Sequence, residues 1–245
     1  MTDFSIIIPA YQEAETIETC LKSLQLLRDR AEIIVVDGGS HDNTVELSKP
    51  WADRVILASR GRARQMNAGV ALTQGEILIF LHADTRLPPG ALEAIHQGLQ
   101  GHRQWGRFDI ELEGKPPFLK VIASMMNLRS RLSGITTGDQ VIFVKKEAFE
   151  KAGGYPDIPL MEDIALSKRL KQLSNPLCLR HKVTSSGRRW EAFGVGRTIL
   201  LMWWLRLLYF IGISPGNLAV LYQTGKFLMP HSKTGCHEKR PDTFH

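Results

Sequence analysis

The sequence predicts an α/β protein built on a doubly wound, mostly parallel sheet, and three observations predict it. Apolar runs at 6–8, 33–36 and 77–81, within strands expected at 4–8, 32–36 and 75–81, have the pattern of strands buried on both faces of a parallel sheet. Segments of helical periodicity alternate with them, as in successive βαβ units. Each run also stops at a turn carrying Pro, Gly or Asp, and open α/β sheets place their ligands at that strand edge. The stretch that organises the rest is 75–87, GEILIFLHADTRL. Its apolar run ends at His82-Ala83-Asp84, and Pro88-Pro89 forbid a simple continuation as strand. Asp84 therefore lies just past a central strand, either as a ligand-side carboxylate or as a cap for the next helix.

The elements follow in order. The first strand, 4–8, is expected to end at Pro9. Ile17, Cys20, Leu21, Leu24 and Leu27 then share one helical face. The second strand closes at Asp37-Gly38-Gly39-Ser40, and Asp42, Asn43 and Thr44 cap a short helix from Val45. A weaker strand spans 54–58, a basic loop and helix 61–72, and the central strand 75–81. Helix is expected over 91–99, and alternation over 105–112 suggests an exposed strand. Helix returns over 118–132, followed by a buried strand at 140–144. A short helix at 146–151 is stopped by Gly153-Gly154. Leu166, Leu170 and Leu173 mark an amphipathic helix within 160–173. A strongly apolar helix covers 195–213, and from Pro230 the chain is polar and is expected to be mobile. With no internal repeat or low-complexity linker, one domain over 1–229 is the simplest division. It comprises a half at 1–100, a half at 101–190 and the apolar helix, with 230–245 as a tail.

The 245 residues, 43% hydrophobic and 23% charged, suit such a globular domain. Three widely spaced cysteines, Cys20, Cys178 and Cys236, fit a reducing compartment rather than a disulfide scaffold. The chain enters its first strand almost at once, so no signal peptide is expected and a cytoplasmic location follows. A formal charge of +6 favours anionic partners without choosing among nucleotide phosphates, anionic lipid and nucleic acid.

Acidic residues gather where ligands are expected. Asp37 and Asp84 should share the rim formed by the C-terminal strand ends, and Glu162-Asp163 opens a later helix. Beside Arg62 and Arg64, this set suits a phosphorylated ligand held through Mg²⁺ or Mn²⁺. The residues that carry this chemistry also carry a resemblance. Ser5-Ile6-Ile7-Ile8-Pro9-Ala10-Tyr11-Gln12-Glu13 resembles the opening strand of family 2 glycosyltransferases. Glu32-Ile33-Ile34-Val35-Val36-Asp37-Gly38-Gly39-Ser40, with Asp42-Asn43-Thr44, resembles their second strand and loop. Gly61-Arg62-Ala63-Arg64-Gln65-Met66-Asn67-Ala68-Gly69 is similar to their basic-helix motif. His82-Ala83-Asp84 stands where they carry Asp-x-Asp, and Gly153-Gly154-Tyr155 with Glu162-Asp163 resembles their acceptor-side motif. The order and spacing from 5 to 173 are more specific than any single motif. More narrowly, the chain is similar to a bacterial subgroup of glycosyltransferases associated with arsenosugar biosynthesis or selenodomain proteins.

The resemblance implies a GT-A fold and a hexosyltransferase-type enzyme using a nucleotide-diphosphate sugar donor and a hydroxyl acceptor, with no nucleic acid. It implies that Pro9, Tyr11 and Glu13 border base and ribose, and that Asp37, with Gly38, accepts a hydrogen bond from the base. Arg62, with Arg64 as second choice, would lie near base or diphosphate. Asp84 would bind the Mn²⁺ or Mg²⁺ that bridges the diphosphate. Asp163 would be the general base, supported by Glu162, giving an inverted product. Each residue also has a structural reading: Asp37 as a turn former, Arg62 and Arg64 as a solvated face, Glu162-Asp163 as acids favoured at a helix start. His82 departs from the motif, either as a ligand or as packing around one. Asp139, in Thr136-Thr137-Gly138-Asp139-Gln140, either lines the acceptor pocket or belongs to a turn.

Ser186-Gly187-Arg188-Arg189-Trp190 partly resembles the Gln/Arg-x-x-Arg-Trp motif of processive relatives. Ser186 in the first place favours a single transfer, with Arg189 and Trp190 beside the acceptor. The segment 199–213 is too short to span a bilayer and is interrupted by Arg206. A buried core helix, a homodimer interface and a helix seated on the inner membrane surface all fit it. Two rival functions stay open: a nucleotidyltransferase, and a non-catalytic nucleotide-sugar-binding or membrane-associated protein.

Overall fold

A computed structural model of the chain describes residues 3–114, 118–187 and 195–224. Eight strands form one sheet: β1 (Phe4–Ala10), β2 (Ala31–Asp37), β3 (Arg54–Leu57), β4 (Ile77–Phe80), β5 (Thr85–Arg86), β6 (Trp105–Glu113), β7 (Ile142–Lys145) and β8 (Leu177–Ser186). Their spatial order is β3-β2-β1-β4-β7-β6-β8-β5. The helices are α1 (Ile17–Ser23), α2 (Thr44–Ser48), α3 (Arg62–Val70), α4 (Ala91–Leu99), α5 (Leu119–Ser133), α6 (Lys146–Lys151), α7 (Glu162–Leu173), α8 (Val195–Phe210) and α9 (Pro215–Thr224).

The first four strands run parallel, with Ile6 opposite both Ile33 and Ile79. Alternate residues of β1 enter different layers. Ile6 and Ile8 join Leu21, Leu92 and Ile95 from α1 and α4, while Ile7 joins Met66, Val70 and Leu166 from α3 and α7. Burial on both faces is why these strands read as continuous apolar runs. Gly69 lets α3 press against the sheet: a Cβ there would lie 2.5 Å from Cγ2 of Ile7.

Pro9 does not end the first strand, which continues to Ala10. The β4 ladder stops at the Ile7–Phe80 pair, so the missing N–H of Pro9, two residues on and facing the same side, has no strand to serve. The strand at 105–112 is not exposed either. Trp105, Gly106, Arg107 and Phe108 are all buried, because β6 lies between β7 and β8 and packs under α5. Arg107 is accommodated by an ion pair with Asp109 and by donating to the Asn127 carbonyl at 3.1 Å. Gln140 belongs to a 3₁₀ turn, Gly138–Gln140, rather than to the strand that follows.

One reversal determines where the site forms. β7 pairs antiparallel with β4, bringing Ile142 opposite Phe80. The N-terminal end of β7 therefore shares a rim with the C-terminal end of β4, and the turn Gly138–Gln140 faces His82–Asp84. Three of these elements were not visible in the sequence: the short β5, β8, whose pairing with β6 shifts register between Phe108 and Asp109, and α9. The apolar segment becomes α8, which packs Leu205 and Leu208 with Met161, Ile164 and Leu218 and leaves Trp203 and Phe210 exposed. Among the described residues no helix is long and apolar enough to cross a membrane.

Candidate active site

The rim at the ends of β1 and β2 is built from short polar side chains. Asp37 is buried, and its Oδ2 accepts from the N–H groups of Gly39 and Ser40, both at 2.8 Å. It thus shapes its own turn, as Asp does readily. The Gly38 N–H donates to the Ala10 carbonyl at 2.9 Å. The loop after β1 is tied to the loop after β2: Gln12 N–H donates to Ser40 Oγ at 2.8 Å, and Glu13 N–H to Thr44 Oγ1 at 2.9 Å. Pro9 lies buried in the strand just before this loop, and Tyr11 stands in it under the Arg60 guanidinium, whose carbon is 4.0 Å from the ring centroid. Gln65 of α3 clamps the two strand ends. Its Nε2 donates to the carbonyls of Ala10 and Val36, each at 2.8 Å, and its Oε1 accepts from Gly61 N–H at 3.3 Å. Gln65→Ala should cost about 1–3 kcal/mol, because the buried Ala10 and Val36 carbonyls and the half-buried Gly61 N–H each lose a bond, measurable as a lowered midpoint in urea unfolding.

The second part of the rim is an ionic cluster. His82 Nδ1 lies 3.5 Å from Asp139 Oδ1, and Gly138 N–H donates to Asp163 Oδ2 at 2.8 Å. Gly138 is wedged between these groups: a Cβ would lie 2.4 Å from His82 Nε2 and 2.9 Å from Asp163 Oδ2. Arg62 Nε lies 3.4 Å from Glu162 Oε1, so the first residue of α3 reaches the first turn of α7. Met161, the residue before α7, has φ 70°, and Val141, at the end of the turn, has φ 53°. Side chains resist that region, and its cost, about 1–3 kcal/mol per residue, is typical of functional turns.

Electrostatics separate the acids. Burial, with Glu162 alongside, pushes the Asp163 carboxyl up to about 7, against the opposing pull of Arg62, His82 and the Gly138 N–H. Burial also penalises the charge on Asp139, but the His82 hydrogen bond and the cations nearby hold it below the usual carboxylate range. Burial disfavours the His82 imidazolium, and its bond to Asp139 more than compensates, holding it above its ordinary value. The Arg62 guanidinium is likewise held up by Glu162, Asp163 and Asp139 in spite of burial. Burial and the two carboxylates of α7 drive the Tyr155 phenol well above its ordinary value.

Asp84 is half-buried on the same rim, and its Oδ1 accepts from Thr85 Oγ1 at 3.3 Å. Among the described residues no group of three or more His, Cys, Asp or Glu side chains could hold a metal ion. The donor set still fits Mg²⁺ or Mn²⁺, which take one or two carboxylates and complete their shell with water and phosphate oxygens. His82 is engaged by Asp139, which favours its packing role over ligation. Arg64 turns away from the cluster to Asp157, with Nε 2.7 Å from Oδ1 on the exposed surface. Arg189 and Trp190 lie outside the described residues. Sequence reasoning missed Arg60, Gln65 and Tyr155 as parts of this rim. Gln65 lies inside the quoted basic-helix motif, but only the folded strand ends give it a role.

The comparisons with known proteins converge on this architecture. Residues 5–122 match the family described as Glycosyl transferase family 2. The chain is 32% identical to the uncharacterized glycosyltransferase YibD of Escherichia coli over 37% of its own length and 28% of that protein. It is 31% identical to the undecaprenyl-phosphate 4-deoxy-4-formamido-L-arabinose transferase of Yersinia pestis over 55% of its own length and 45% of that protein. The matches thus span less than half the length of these relatives. Among solved structures, mannosyltransferase PcManGT from Pyrobaculum calidifontis, in complex with GDP-Man and Mn²⁺, aligns with TM-score 0.63 at 19% identity, covering 84% of this chain and 62% of that one. TarS residues 1–349 from S. aureus, in complex with UDP-GlcNAc, aligns with TM-score 0.60 at 20% identity, covering 77% and 59%. The chain has the GT-A fold of these neighbours, and its residues 5–122 are similar to glycosyl transferase family 2.

Proposed function

We propose that this protein is a metal-dependent, inverting glycosyltransferase that moves a sugar from a nucleotide-diphosphate donor to an acceptor hydroxyl. The observation that carries the reading is the buried Asp163 carboxyl, raised to about 7, on the same rim as Asp84. A base poised near neutrality suits removal of a hydroxyl proton as that oxygen attacks. In the proposed step Asp163 takes the acceptor proton while the acceptor oxygen bonds to the anomeric carbon. The bond from that carbon to the diphosphate breaks, and its electron pair leaves with the nucleotide. Tyr11 and Arg60 offer a face for the base, Asp37 and Gly38 its edge, and Arg62 a positive charge near the departing diphosphate. A divalent cation bound at Asp84 would supply Lewis-acid neutralisation of that leaving group. Glu162 keeps Arg62 in place, and Asp139 orients His82 on the acceptor side, with Arg189 and Trp190 as further acceptor-side candidates.

Support comes from the family match over 5–122 and from neighbours whose complexes hold GDP-Man with Mn²⁺ or UDP-GlcNAc. The motif order supports membership of the arsenosugar-associated subgroup by resemblance alone. One domain over 1–229 and a peripheral seat at the cytoplasmic membrane face belong to the same reading. The testing experiment is calorimetric titration with UDP and GDP, with and without Mn²⁺. One nucleotide should bind in a metal-dependent manner, and Asp84→Ala should weaken that binding at least about tenfold, the scale of one lost charge-assisted contact. Wild-type protein that binds neither nucleotide under any condition would overturn the reading.

A further inference from the structure

A cavity of about 730 Å³ opens between α5 and α8, within the size range of small-molecule sites. Its walls are apolar, with Ile122 and Met125 from α5 facing Trp203 and Leu207 from α8. Two guanidinium groups interrupt them. Arg129 and Arg206 both line the cavity, and the Nε and one terminal nitrogen of Arg129, with the Nε of Arg206, are buried without a hydrogen-bond partner among the described residues. Burial weakens both cations, taking Arg129 to about 10, and the two repel each other at that site. Asp139 also lines the cavity, but it is already shared with His82. Two half-buried cations that line one cavity, with buried nitrogens left without a partner among the described residues, are costly unless an anion joins them.

We propose that this cavity takes the acceptor, and that the acceptor is an amphiphile with an anionic head at Arg129 and Arg206 and an aliphatic body between α5 and α8. The inference rests on the transferase reading, since it takes Asp163 as the acceptor-side base. The geometry connects the two: Asp139 floors the cavity, and its neighbour Gly138 donates to Asp163 at 2.8 Å. Charge complementarity selects the head, because guanidinium donors match phosphate and carboxylate oxygens. The apolar walls select the body. Leu200 lines the cavity and is itself exposed, and exposed Val121 and Leu128 on α5 and Phe210 on α8 add apolar surface on the same two helices for a longer chain.

Tryptophan fluorescence reads the site directly, since Trp203 and Trp204 line it. Full-length protein is titrated with decyl phosphate below its micellar concentration, with decanol, and with inorganic phosphate. Decyl phosphate should bind saturably, and both other probes at least about tenfold more weakly, the scale of one lost charge-assisted contact. Arg206→Gln and Arg129→Gln should each weaken decyl phosphate by a similar factor, and Arg206→Lys should weaken it less than Arg206→Gln. Thermal melts of each variant confirm folding. Inorganic phosphate binding as well as decyl phosphate would identify a simple anion site and overturn the amphiphile, as would equal binding of decanol. No binding to wild type, or binding indifferent to both arginines, also overturns it. Failure of this site with nucleotide binding intact would leave the donor reading standing, and the UDP and GDP titrations separate the two.

Discussion

Asp163→Asn should lower kcat by about 10²–10⁴, the range for removing a positioned general base, while leaving nucleotide affinity within about twofold. The asparagine oxygen can still accept from Gly138 N–H, so geometry survives and proton acceptance is lost. Two pH experiments extend the expectation. In wild type, kcat/KM should rise with pH and level off above about 7, where the buried carboxyl has ionised. Stability should show the opposite trend. The folded pKa lies above the unfolded value, so between about pH 4 and 7 the folded state holds a proton that the unfolded state has released. Wild type therefore loses stability as pH rises through that window, and Asp163→Asn does not. At pH 8 the variant should be the more stable by on the order of 4 kcal/mol, about 1.4 kcal/mol for each unit between the unfolded and folded values, and at pH 4 the two should converge. A pH-independent kcat/KM, or a variant that remains active, would remove Asp163 from the reaction.

Gly138→Ala is the second large effect. The added methyl would sit 2.4 Å from His82 Nε2 and 2.9 Å from Asp163 Oδ2, distances no relaxed side chain tolerates. His82 is held by Asp139 and Asp163 by the start of α7, so neither can retreat without breaking a contact. Overpacking of this kind costs about 1–3 kcal/mol, and a misplacement of about 1 Å at the base should cost about 10²-fold in kcat. Binding of the free nucleotide, whose expected contacts lie at β1, β2 and Asp84, should survive. Loss of nucleotide binding together with activity, in a protein that still folds, would show that the cluster serves the donor.

The first half of the chain was legible because its physics is local. Strands buried on both faces show as apolar runs, and Asp37 and Asp84 follow directly from where those runs stop. β8 was not legible because its middle residues, Arg180, His181 and Lys182, are exposed at the register shift. They leave neither an apolar run nor a clean alternation. Arg206 stood out in sequence only as an interruption of an apolar helix. Its meaning depends on Arg129, which no periodicity connects to it. The same holds for Arg62 with Glu162 and for His82 with Asp139: each pair forms because β7 runs against β4, and an antiparallel neighbour cannot be read from either strand alone.

That reversal also lies beyond the matched segment. The family match stops at residue 122, before the antiparallel strand and the helix that bears Asp163. The rim therefore has two separate supports: the ends of β2 and β4 present Asp37 and Asp84, while the turn before β7 and the start of α7 present Asp139 and Asp163. Substitutions in the second set should reshape that side of the rim and leave the Gln65 clamp on β1 and β2 in place.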